Sequence, residues 1–342
     1  MQLTRRPSRR SLIALLPLLA IAATACSDPM TTIDPQSDFA DTVQGVYLIV
    51  TILAAIVFVA VLALTLILAI VFRERPGREA RQFDGNTRLE IVWTIIPVAI
   101  VTVIAVPTFY AIADTTKPAP DDAITITVTG HQWWFEFEYE DFGLVTANEI
   151  HIPTGRAASF LLRSDDVIHS FWVPQLAGKV DMLPGHENTL WFTPNDDAAR
   201  PRPYLGQCAE FCGLSHANMR FRVYVDTPED FAAWIAAQQA DRVEPANEAI
   251  AAGETLFLAN ACIGCHTVKG TSAAGQIGPE LSHIGGRSTI AAGIMDNNRE
   301  NLIRWISNPQ REKPGVVMMP AFENTLTQQQ IASIADYLLS LR

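Results

Sequence analysis

The sequence predicts a multidomain chain: a two-helix transmembrane hairpin, then an all-β sandwich, then a small all-α domain. Three observations predict it. Two long apolar runs without a charge, Val46 to Phe72 and Ile91 to Ala113, lie in the first third of the chain. From residue 120 the hydrophobic period changes to two, with turn residues between short runs. Beyond residue 247 helical patterns surround a Cys-x-x-Cys-His motif. With 342 residues the chain is long enough for two or three domains.

Residues 1–25 read as an export signal. Arg5, Arg6, Arg9 and Arg10 precede a short apolar run, and small residues precede Cys26. A Cys at that boundary resembles a bacterial lipoprotein site; the alternative is cleavage nearby with Cys26 free or removed. Residues 26–45 are polar and contain Pro, so they read as a linker. Residues 46–113 form the hairpin. Each run exceeds or matches the roughly 20 residues that cross a bilayer, and Pro97 and Pro107 are tolerable in a membrane helix. Arg73, Arg75, Arg78, Arg81 and Arg88 between the runs place that loop in the cytoplasm. Everything after residue 113 then faces outward from a bacterial cytoplasmic membrane. Glu90, at the cytoplasmic edge of the second run, is either an interfacial acid or part of a proton path.

The net charge of −11 belongs to the middle of the chain, where residues 114–246 carry 9 basic and 20 acidic groups. That balance argues against nucleic acid and permits a basic partner to dock.

Residues 114–228 supply the sandwich. Ile124–Thr129 and Phe135–Tyr139 alternate, and further strand candidates are 149–152, 159–163, 189–192 and 221–225. Within this domain Cys208-Ala-Glu-Phe-Cys212-Gly-Leu-Ser-His216-Ala-Asn-Met219 gathers two thiols, an imidazole, a thioether and a carboxylate. Thiolate, imidazole and thioether are ligands that copper takes. A two-Cys zinc site or a disulfide would leave Met219 without a use. His169 lies about forty residues upstream, and one early His plus a late Cys-His-Met loop is how cupredoxin sandwiches collect copper ligands. Residues 229–246 read as a helix, capped by Thr227, and a linker.

Residues 247–342 contain Cys262-Ile-Gly-Cys265-His266, the c-type heme attachment signature. The thiols add to the vinyl groups and His266 reaches the iron. Met319 is the best candidate for the opposite face, with Met318 second. Pro279 is placed to accept from the other His266 nitrogen. Helices are expected at 249–258, at 299–306 and after Thr327, where Thr327 and Gln330 fit a capping box.

On these marks, with Gly130-His-Gln-Trp-Trp134, Asp166-Val-Ile-His169-Ser and Val92-Trp-Thr-Ile-Ile-Pro97, residues 40–226 resemble subunit II of heme-copper cytochrome c oxidases. Residues 247–342 resemble a fused class I cytochrome c, as in caa-type oxidases. The resemblance implies a dinuclear copper centre held by His169, Cys208, Cys212, His216, Met219 and the Glu210 carbonyl. It implies that the Glu210 carboxylate reaches a Mg or Mn ion shared with subunit I. It implies electron transfer through Trp133 and a proton-channel entrance at Glu90. The implied partners are subunits I and III, membrane lipid, and an external donor such as cytochrome c or a cytochrome bc complex. The sequence departs from the family at Trp134-Phe135, where Tyr then Trp is common, and at His186, where Arg is common.

Overall fold

The computed structural model describes residues 30–77 and 84–342. The expected export signal, Cys26, Arg78 and Arg81 lie outside the described residues. The chain divides into two units, residues 38–118 and residues 30–37 with 119–342.

The first unit is two helices, α1 (Asp38–Val71) and α2 (Thr87–Thr115). At 1.5 Å per residue they are about 51 and 44 Å long, against a hydrocarbon core of about 30 Å. Both are long and apolar enough to cross a membrane. Residues 38–45, expected as linker, are instead the first two turns of α1. Their polarity hid this, yet Asp38 and Asp41 suit the positive end of a helix. Asn86 caps α2, its side chain accepting from the Arg88 and Leu89 amides. Glu90 sits in the first turn of α2.

The second unit begins with ten strands: β1 (Ile124–His131), β2 (Trp134–Tyr139), β3 (Leu144–Ala147), β4 (Glu149–Pro153), β5 (Ala158–Ser164), β6 (His169–Trp172), β7 (Val180–Met182), β8 (Asn188–Phe192), β9 (Tyr204–Cys208) and β10 (Arg220–Asp226). They form two five-stranded sheets, ordered β3-β2-β1-β5-β8 and β4-β10-β9-β6-β7. Alternation does the work predicted for it. In β2, Phe135, Phe137 and Tyr139 are buried while Glu136 and Glu138 turn outward. In β10, Phe221, Val223 and Val225 are buried. Phe221 meets Phe135, Phe137 and Phe171 at centroid distances of 4.7 to 5.9 Å, tying the sheets together. Strands β3, β6, β7 and β9 were not expected. Residues 169–171 in β6 are all buried, so the strand shows no alternation. Helix α3 (Pro228–Gln239) follows, with Thr227 accepting from the Asp230 amide.

Residues 248–342 form α4 (Glu248–Leu258), a short hairpin of β11 (Thr289–Ile290) and β12 (Met295–Asp296), α5 (Arg299–Ser307), the single turn α6 (Pro309–Glu312) and α7 (Gln328–Ser340). The capping box at Thr327 and Gln330 is formed. Helices α4 and α7 cross where Gly253 lets backbones approach: a Cβ there would lie 2.1 Å from the Ser333 carbonyl oxygen. Gly253→Ala is therefore expected to destabilise this domain by about 2–3 kcal/mol, the upper part of the overpacking range. Thermal unfolding followed by far-UV circular dichroism measures it.

Candidate functional site

The loop after β9 folds back so that its chemistry converges beside β6. The Cys208 and Cys212 sulfurs are 3.7 Å apart, too far for a disulfide, and both residues are buried. His169 Nδ1 lies 3.9 Å from the Cys208 sulfur, and His216 Nδ1 lies 3.6 Å from the Cys212 sulfur. The Met219 sulfur is 3.9 Å from the Cys212 sulfur, and the Glu210 carbonyl oxygen is 3.2 Å from the Cys208 sulfur. All six groups expected from the sequence are thus brought together. His169, Cys208 and Cys212 form a buried cluster able to hold a metal ion.

The electrostatics call for a cation. The Cys212 thiol hydrogen-bonds to Cys208 and, with His169, holds its pKa far below the usual thiol range against the effect of burial. Sharing with Cys208, together with burial, pushes the Cys212 thiol up. Two thiolates this close cannot both ionise in a buried site unless positive charge joins them. The donor set therefore fits copper ions, which take thiolate, imidazole and thioether.

Asp166 is the residue that sequence reasoning missed. Its carboxylate lies 2.8 Å from His169 Nε2 and accepts from the backbone amides of Gln132 and Val167, each at 2.6 Å. This leaves Nδ1 of the ring to face the sulfurs, as a carboxylate behind a metal-bound His does. Burial works to lower the His169 pKa, but the hydrogen bonds to Cys208 and Asp166 prevail and raise it. The signal was present, since Asp166 stands three residues before His169 in a tight turn.

Trp133 is buried, and its indole N–H donates to the Cys212 carbonyl at 2.9 Å; the Gln132 side-chain amide donates to the same oxygen at 2.7 Å. The Glu210 side chain points away, about 3.8 Å from Lys179. Beside it Phe211 and Leu214 are 75% and 81% exposed, an apolar rim on the outside of the metal loop.

In the C-terminal domain, Cys262, Cys265, His266 and Met319 line one cavity of about 300 Å³ with Ile277, Leu281 and other apolar side chains. His266 Nδ1 donates to the Pro279 carbonyl at 2.8 Å, as expected. Burial lowers the His266 pKa, which favours the neutral ring needed for iron. Gly278 lets the chain pass the imidazole, since a Cβ there would meet Cε1 at 2.7 Å. Met318 also lines this cavity but is 68% exposed, while Met319 packs against the domain core. The paired thiols, the neutral imidazole and the apolar wall fit a covalently held heme. The same cavity is also lined by Trp133 and Trp134 of the sandwich.

Three family models match the chain. They are the transmembrane domain of cytochrome c oxidase subunit II over residues 33–111, its periplasmic domain over 143–225, and cytochrome c over 250–342. Cytochrome c oxidase subunit 2 of Alkalihalophilus pseudofirmus is 37% identical over 336 residues, covering 96% of each chain. The chain belongs to the cytochrome c oxidase subunit II family. The subunit 2 of Bacillus sp. (strain PS3) is 33% identical, with 97% of each chain covered. Among solved structures, the periplasmic domain of subunit II of cytochrome oxidase from Bradyrhizobium japonicum is 28% identical; the match covers 36% of this chain and 97% of that one, with a TM-score of 0.33. As a subunit II with a cytochrome c domain, the chain is a membrane-anchored part of an oxidoreductase complex and works with other oxidase subunits. Its cytochrome c domain implies heme c, and its periplasmic domain implies the copper A centre.

Proposed function

We propose that this subunit II takes electrons from an external donor, such as cytochrome c or a cytochrome bc complex, on its C-terminal domain and hands them past Trp133 to the Cys208–Met219 loop. Subunit I, with subunit III beside it, would then reduce oxygen to water and pump protons. When bound, heme c and the copper pair supply reversible one-electron chemistry. The observation that carries the reading is the shared cavity: one wall holds Cys262, Cys265, His266 and Met319, another holds Trp133, whose indole is hydrogen-bonded to the Cys212 carbonyl.

In this reading Cys262 and Cys265 anchor the heme, His266 and Met319 ligate its iron, and Pro279 orients His266. His169, Cys208, Cys212, His216, Met219 and the Glu210 carbonyl hold copper, and Asp166 fixes the His169 ring. The Glu210 carboxylate, free of the cluster, is available for a Mg or Mn ion at the subunit I boundary. Glu90, in the first turn of α2, serves as the proton-channel entrance. The hairpin crosses the cytoplasmic membrane twice with the arginine-rich loop inside, and Cys26 is a candidate lipid-attachment site.

Optical spectra of the purified complex test the assignment. A c-type heme band and the near-infrared band of a copper pair are expected together; lack of the second would sink the copper site. Met319→Leu is expected to abolish the sulfur-to-iron charge-transfer band and lower the heme potential. Met318→Leu, on an exposed side chain, should change neither. The reverse pattern would transfer the ligand role to Met318.

A further inference from the structure

The boundary between the sandwich and the cytochrome c domain is built like a protein interior. Two buried side chains of opposite charge cross it in opposite directions. Glu149 of β4 is 4% exposed and reaches into the β11–β12 hairpin. There its carboxylate accepts from the amides and hydroxyls of both Ser288 and Thr289, at 2.7 to 3.0 Å. Lys313 is 2% exposed, and its ammonium donates at 2.5 Å to the carbonyl of Trp133 and at 3.3 Å to that of Ala291. Such partners offset the hydration each group loses on burial; for Lys313 the offset is partial, since burial still holds its pKa down.

A further feature lies between them. Ala291, Ala292 and Gly293 are all left-handed, with φ of 55°, 59° and 77°. Alanine is strained there because its Cβ crowds the carbonyl. The turn presents its carbonyls outward, and β10 receives two of them. The Arg220 amide donates to Ala292 at 3.0 Å and the Arg222 guanidinium to Gly293 at 2.9 Å. Local sequence does not favour two left-handed alanines; the contacts across the boundary do. Further on, Gly315 lies against the Trp133 ring, where a Cβ would come within 2.6 Å, and the Ser215 hydroxyl donates to the Pro314 carbonyl. The connecting segment is also held, Arg242 pairing with Glu254 of α4 at 2.8 Å.

We propose that the cytochrome c domain is clamped onto the Trp133 face of the sandwich, not carried on a loose tether, and that Glu149 and Lys313 are the positioning residues of the clamp. The clamp follows from the contacts; its effect on electron transfer rests on the function proposed above. It holds the mouth of the heme cavity against Trp133 and Trp134 and covers that face of the sandwich. An external donor must then meet this chain on its cytochrome c domain.

Hydrogen exchange on the full oxidase complex tests the clamp. The amides of Ser288, Thr289 and Arg220 report it, because each bonds across the boundary. In the wild type they should exchange far more slowly than residues 241–246. Glu149→Gln and Lys313→Met should each speed them about tenfold or more, with Lys313→Arg closer to wild type. The milder Ser288→Ala covers the case where a charge-removing variant fails to fold. Heme and copper spectra should be unchanged, while electron transfer from heme to copper after flash reduction slows at least tenfold. Unchanged exchange in the variants would overturn the clamp. Faster exchange with unchanged transfer would overturn the positioning role. Absence of heme-to-copper transfer in the wild type would instead refute the proposed function, with the exchange data still deciding on the clamp.

Discussion

Cys208→Ser and Cys212→Ser will each yield a chain that keeps its heme band and loses its copper. The sulfurs lie 3.7 Å apart in a buried site, and each is within 4 Å of a further donor: His169 for Cys208, and His216 and Met219 for Cys212. The thiolate is what carries the negative charge and the softness that copper selects. Serine keeps the shape and supplies neither, since its hydroxyl does not ionise at neutral pH. The single thiolate left cannot balance two copper ions, so the loss should exceed the roughly 10–100-fold that outer-shell changes cost a metal site. The readouts are copper per chain by metal analysis, the near-infrared band, and oxidase turnover driven by reduced cytochrome c. Turnover should fall to background with the c-type band intact. A variant that retained two coppers and turnover would mean that the thiols are not the ligands.

Much of this was legible in the sequence where chemistry and local geometry coincide. The Cys208–Met219 loop packs its donors into twelve residues, so convergence needs only a turn. Cys262-Ile-Gly-Cys265-His266 is likewise a local unit, and Thr327 with Gln330 caps α7 in register. Strands with one wet face, such as β2 and β10, were legible through alternation. Strand β6 was not, because His169, Ser170 and Phe171 are all buried. The start of α1 was not, because Asp38, Asp41, Thr42 and Gln44 interrupt the apolar residues of 38–45 ahead of the continuous apolar run.

What stayed hidden are residues whose roles depend on contacts distant in sequence. Lys313 reads as a surface lysine, yet it is bonded to a carbonyl 180 positions away, and burial pulls its pKa down to about 7. Glu149 reads as the polar end of a strand and meets Ser288 and Thr289 some 140 positions on. Ala291 and Ala292 carry no turn signature at all. Each is explained by the surface that the other domain presents. No hydrophobic period can encode that surface.

Removing both attachment thiols, Cys262→Ala with Cys265→Ala, is expected to unfold the C-terminal domain while sparing the sandwich. The cavity of about 300 Å³ is walled by residues that also make the domain core, among them Phe257, Leu281, Leu302, Ile306, Phe322 and Ile334. The helices therefore pack around the heme site and not only against one another. Left unfilled, a cavity of that size would cost on the order of 7 kcal/mol at about 24 cal/mol per Å³. A domain of this size has roughly 5–15 kcal/mol of stability in all. Collapse offers little relief, because Gly253 and Gly285 already bring α7 and its C-terminal extension within backbone contact of their neighbours. The sandwich has its own aromatic core and two complete sheets, so it should survive. Limited proteolysis of the full chain separates the cases. The double variant should be cut throughout 248–342 and leave a fragment ending near residue 246, with copper still bound. The single variants, which retain one thioether, should fall between it and the wild type. A protease-resistant C-terminal domain without covalent heme would show that α4, α5 and α7 suffice by themselves, and that the heme is a passenger in a core already complete.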